Sequence, residues 1–152
     1  MVKRWLLALA LGAVAAAPLA AQQVEVRDCA GRMSPLGIVE PWEDYSRTYS
    51  NGKVRVALMD LLEPAGGPVY LMLLSPPYNE IGDRQCKTIG VDGIGFWNAD
   101  FPTLDASYDP ATGLRFTMAV ELYDPQSGGG RAALLTATLN QATGAIDARL
   151  SR

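Results

Sequence analysis

Leu114, Phe116, Met118, Val120 and Leu122 alternate with Arg115, Thr117, Ala119 and Glu121 without a break. This strict period of two predicts a strand with one buried and one wet face. The same alternation returns at Ala133, Leu135, Ala137 and Leu139 and again at Ile146, Ala148 and Leu150. Turn-forming stretches separate these runs: Asp109–Gly113 before the first, Asp124–Gly130 between the first and second, and Asn140–Gly144 before the last. The C-terminal part of the chain therefore reads as an antiparallel meander.

The pattern upstream is β as well. Asn51-Gly52 stands between Ser46–Tyr49 and Lys53–Leu58, and such a pair between alternating runs predicts a hairpin centred on those two residues. Val54, Val56 and Leu58 then face one side, with Lys53, Arg55 and Ala57 on the other. Val69–Leu74 is apolar at every position, which predicts a central strand covered on both faces. Pro76 and Pro77 are expected to stop it, since neither can donate to a ladder. From Glu80 to Asp105, glycines 82, 90, 93 and 95 are spaced among single apolar residues. Only Cys86–Val91 reads as a strand there, the remainder as a long loop or irregular edge. No run of helical period follows Gln22. The expectation is an all-β fold: a single-domain antiparallel sandwich or small, partly open barrel of seven or eight strands.

The first 21 residues follow a different rule. Lys3 and Arg4 precede an uncharged Ala/Leu-rich run from Trp5 to Ala17, and Pro18-Leu19-Ala20-Ala21 supplies small residues for a signal peptidase. As a helix that run spans roughly 20 Å, against about 30 Å of bilayer core, so a cleaved leader over residues 1–21 fits better than a retained anchor. The residue directly after Ala21 is Gln22 and not a cysteine, which argues against a lipoprotein. The remaining 22–152 read as one β-domain, exported to a periplasmic or extracellular space, with no integral membrane insertion expected. An outer-membrane barrel is a poor match because Arg55, Arg115, Glu121, Asp147 and Arg149 fall on outward positions. In an oxidising compartment Cys29 and Cys86 are expected to form one disulfide.

Charge and composition narrow the chemistry. The chain has 13 Lys and Arg against 16 Asp and Glu, and removing Lys3 and Arg4 leaves eleven against sixteen, a net charge of −5. The basic residues are scattered singly, so nucleic acid is not an expected partner. The sequence contains no histidine, which removes the Ser-His-Asp triad, the Cys-His pair and imidazole metal ligands. Glu43, Asp44 and Glu63 are the obvious carboxylates for a glycosidase, but adjacency in sequence does not make a cleft. Asp92, Asp100 and Asp105 lack the ligand spacing of an EF-hand loop, and Gly90–Gly95 matches no phosphate-binding glycine motif. No cofactor or metal is expected. Two aromatic groups lie near loops, Trp42 with Tyr45 and Tyr49, and Phe96 with Trp97 and Phe101. Such rings either plug the ends of a core or grip a ligand. The leading expectation is a non-enzymatic secreted or periplasmic binding module presenting loops around Trp42, Tyr78 and Trp97 to a protein or envelope glycan. The alternatives are a small histidine-independent hydrolase or accessory enzyme and a purely structural envelope component.

Overall fold

The computed structural model describes residues 22–31 and 33–152, so the leader assigned to residues 1–21 lies outside the described residues. Nine antiparallel strands form two sheets. One holds β1 (Val24–Asp28), β2 (Ser46–Tyr49), β3 (Val54–Asp60), β4 (Val69–Tyr78) and β5 (Arg84–Val91) in the order β1-β5-β4-β3-β2. The other holds β6 (Asn98–Asp109), β7 (Gly113–Asp124), β8 (Gly129–Leu139) and β9 (Ile146–Ser151) in sequence order. The architecture is an antiparallel sandwich, with one or two strands more than the sequence pattern predicted.

Period-two positions decide which side chains enter the space between the sheets. Val54, Val56 and Leu58 from β3, Leu71 and Leu73 from β4, and Ile89 and Val91 from β5 meet Phe116, Met118, Val120 and Leu122 from β7 and Leu135, Ala137 and Leu139 from β8. All are buried. At about 1.5–3 kcal/mol for each fully buried large apolar side chain, this interior is the main favourable contribution to folding. The predicted hairpin joins β2 to β3: Tyr49 pairs with Val54, and Ser50 and Asn51 hold φ of 53° and 54° between them. The lateral seams differ. β1 lies against β9, while the gap between β2 and β6 is filled by rings: Tyr45 lies 6.1 Å from Phe101 and Tyr49 sits edge-on to Phe116 at 5.2 Å. The Arg47 guanidinium covers Phe101 at 5.3 Å.

Two predicted boundaries move. β4 runs through Pro76 and Pro77 to Tyr78, with Ser75 paired to Gln85 and Tyr78 to Arg84. The prolines occupy the register shift between those pairs, where no ladder donor is required. The glycine-spaced stretch also differs from the expected loop. β6 begins at Asn98, and Ile94–Phe96 form a tight crossing from one sheet to the other. Val91 and Ile94 exchange backbone hydrogen bonds of 2.8 Å, as do Val69 and Phe96 at 3.2 and 2.6 Å, and Gly95 N donates to Gly67 O at 2.8 Å. Backbones approach so closely here that a Cβ on Gly95 would lie 2.3 Å from Val69 O, and one on Gly90 2.3 Å from Ile94 O. Glycine is needed for close approach rather than for looseness.

The expected coverage of β4 on both faces is present. Its outer face, with that of β3, carries Ala57, Met59 and Met72, covered by Met33, Ile38 and Leu61. The covering stretch, residues 29–40, includes a 3₁₀ turn at Pro35–Gly37 and is fixed at both ends. Ile38 bridges to Met59, and Cys29 is disulfide-bonded to Cys86 in β5 with Cα atoms 5.3 Å apart.

Two outcomes follow from this packing. The disulfide closes a loop of 57 residues, so replacing both cysteines with serine is expected to cost about 2–4 kcal/mol. An unchanged urea midpoint would show that the link does not constrain the chain. Burial raises the Tyr49 pKa above its ordinary 10.0, Arg47 opposes the shift and Asp105 adds to it. A raised folded pKa contributes stability that is complete below pH 10 and is lost as pH rises through the folded value. Unfolding measured above pH 10 should therefore show a falling midpoint, less steep in Tyr49→Phe.

Candidate functional site

The three aromatic residues singled out from sequence do not share a surface. β4 begins at Val69, which bridges to Phe96, the neighbour of Trp97, and ends at Tyr78. Trp97 and Tyr78 therefore mark opposite ends of the sandwich. Trp42 lies in the loop between Val39 and Tyr45, both bonded to Leu58 of β3. Trp42 and Tyr78 are half exposed, at 48% and 50%; Trp97 is partly buried. Of the surrounding rings, Phe96 and Phe101 are core residues and Tyr45 and Tyr49 plug the β2–β6 seam.

Trp97 adjoins, through its neighbour Asn98, a concavity of mixed chemistry. Its ring packs on Tyr123 with centroids 5.3 Å apart, and its amide donates to Glu121 O at 2.9 Å. From this head, a shallow trough of about 380 Å³ crosses the outer face of the β6–β9 sheet, with Asn98, Asp100, Ala119, Glu121 and Ala132 in its lining. Register explains the shape. Asn98 pairs with Glu121 and Glu121 with Ala132 in one cross-strand row; Asp100, Ala119 and Leu134 make the next. Side chains at these alternate positions point away from the core, so the two alanines form a low floor between longer polar side chains.

β6 is shaped to make this wall. The ladder breaks between Asp100 and Asp105, Phe101 turns inward to the core, and the Thr103 hydroxyl replaces the missing pairings. It donates to Asp100 O at 2.6 Å and accepts from Ala119 N at 2.9 Å. At the head of the trough Gly130 leaves room for its neighbours: a Cβ there would lie 2.6 Å from a Glu121 carboxylate oxygen and 2.7 Å from Trp97 Cδ1. Beyond Tyr123, hydrogen bonds from Gln126 N and Ser127 Oγ hold the Asp124 carboxyl below its ordinary pKa.

The trough itself is lined by an amide and two carboxylates on a rigid sheet, with the Trp97 ring outside that lining, close to Glu121. It can accept several hydrogen bonds from a neutral or cationic ligand while an apolar flank rests on the indole. Two smaller hollows exist. One of about 150 Å³ lies on the opposite sheet beside Tyr70, Thr88 and the Glu25–Arg27 ion pair, whose closest N–O distance is 2.5 Å. The other, of about 140 Å³, lies between the Pro110–Gly113 and Asn140–Ala142 turns. Among the described residues, no group of three or more His, Cys, Asp or Glu is placed to hold a metal ion, and no helix is long and apolar enough to cross a membrane. Glu43, Asp44 and Glu63, the carboxylates most visible in sequence, lie outside the trough. No protein-family profile, curated protein or solved structure matches the chain.

The close fit at Gly130 is directly testable. Gly130→Ala should displace the indole and the Glu121 carboxylate, shifting Trp97 fluorescence in a chain whose Trp5 and Trp42 are replaced by Phe. Because the Glu121 end of the contact is flexible, unfolding stability should move by less than about 1 kcal/mol. An unaltered emission spectrum would contradict the described packing.

Proposed function

We propose that the protein is a secreted or periplasmic binding module, without catalysis of its own, that holds a polyhydroxylated ligand of the envelope-glycan class on the β6–β9 face. The observation that carries this reading is the trough itself: a floor of Ala119 and Ala132 beside Trp97, walled by Asn98, Asp100 and Glu121. Sugar hydroxyls donate to carboxylates and exchange hydrogen bonds with an amide, and the C–H face of a pyranose matches an indole. The asymmetry of the sandwich supports the choice of face. Residues 29–40 pack on the outer side of the five-stranded sheet, whereas the trough side retains an exposed Leu134 among its alanines and threonines. The disulfide and the residue pattern of 1–21 support the compartment.

Calorimetric titration with solubilised peptidoglycan fragments and a panel of neutral oligosaccharides tests the proposal. Saturable binding is expected, weakened about tenfold or more, equivalent to about 1.4 kcal/mol, in Asp100→Ala. Absence of binding by every saccharide, or equal affinity in the variant, would refute it. Release of new reducing ends during incubation would instead establish the carboxylate hydrolase.

A further inference from the structure

We infer that a second surface, at the corner where residues 33–46 meet residues 57–69, docks a basic amphipathic polypeptide segment. This inference stands independently of the trough. It begins with how charge is distributed along the sequence. These two stretches contain Glu40, Glu43, Asp44, Asp60 and Glu63 and no Lys or Arg. The rest of the chain after Ala21 balances eleven acidic against eleven basic residues. The whole net negative charge of the mature protein therefore belongs to these two stretches, which are separate in sequence.

The fold brings them together. Ile38 bridges to Met59, Val39 N donates to Leu58 O at 3.0 Å, and Leu58 N donates to Tyr45 O at 3.0 Å. Gly37 packs on Leu61, since a Cβ built on Gly37 would lie 2.9 Å from Leu61 Cδ2, and this brings their chain neighbours Leu36 and Leu62 to one corner. Asp60 Oδ1 accepts from Leu62 N at 2.8 Å, fixing the start of the β3–β4 loop. Leu36 is 95% exposed, Leu62 77% and Trp42 48%. The patch borders the outer apolar cluster that contains Ile38, Met59 and Leu61. Clustered apolar exposure on the order of a few hundred Å² with a polar rim marks a protein interaction surface.

Charge selects the occupant. Arg47 adjoins the corner with its guanidinium on the carbonyls of Glu43, Asp44 and Ser46 and the Phe101 ring, and it offsets one of the five negative charges there, leaving the acidic excess. Five carboxylates on the same two stretches as the three exposed apolar side chains repel an anionic lipid surface and attract Lys and Arg. A segment with an apolar stripe and basic flanks satisfies both parts at once: its stripe covers Leu36, Leu62 and Trp42, and its flanks face the carboxylates.

The test uses the purified protein and a fluorescent Leu/Lys peptide with one apolar helical face, followed by anisotropy. Controls are a scrambled peptide of the same composition and vesicles of phosphatidylglycerol. The amphipathic peptide should bind saturably, and affinity should fall about tenfold or more in Leu36→Ser/Leu62→Asn. It should also fall in Glu43→Gln/Glu63→Gln and with rising salt. Both double variants should keep the parental unfolding midpoint, since the altered side chains are exposed. Asp100→Ala should leave peptide affinity unchanged, which separates failure here from failure of the glycan site. Equal binding of the scrambled peptide, preference for the anionic vesicles, or parental affinity in the Leu36/Leu62 variant would each overturn the inference.

Discussion

The fold depends on one close crossing of backbones. Ile94–Phe96 pass between the end of β5 and the start of β4, with Gly67, Gly90 and Gly95 at the points of nearest approach. This crossing hands the chain from the five-stranded to the four-stranded sheet. It also brings Trp97 out at the rim with its amide bonded to β7. The position of the candidate trough is thus a consequence of how the sheets are joined: the ring at its head is the first residue after the crossing.

The two sheets use their outer faces differently. On the five-stranded sheet, Met59 and Met72 are covered by residues of the 29–40 stretch, which is held by the disulfide at one end and the Ile38–Met59 bridge at the other. On the four-stranded sheet most of the corresponding positions are Ala, Thr, Asp, Glu or Arg, which tolerate water, and Leu134 stands exposed among them. A small domain has a limited interior, and a covalent tie under a loop lets it bury more apolar surface than one core alone.

Much of this architecture was legible in the sequence because period two is a direct imprint of a one-sided core. Leu114–Leu122 and Leu135–Leu139 face inward as the alternation indicated, and the unbroken run Val69–Leu74 foretold cover on both faces. The crossing was not legible, since glycines required by backbone contact look like glycines in a loose loop. Pro76-Pro77 misled for a related reason: a proline pair stops a regular ladder but is compatible with a bulge. Of the candidate site, Trp97 stood out beforehand as a ligand-gripping ring, Asp100 only as a carboxylate without metal-ligand spacing and Glu121 only as an outward charge. Asn98, Asp100, Glu121 and Ala132 belong to three strands, and their shared row appears only once register is known. Leu36 and Leu62 gave no warning, because an isolated leucine reads as core. The absence of Lys and Arg over residues 33–46 and 57–69 was the available signal.

The broken ladder of β6 has a consequence beyond the trough wall. Between Asp100 and Asp105 the pairing of this edge strand with β7 shifts register, and such a bulge bends and twists an edge strand out of its regular extended form. An incoming strand from another molecule would find its pairing cut short after a few residues. The same irregularity that shapes the trough wall thereby guards this sheet against templated stacking into fibrils.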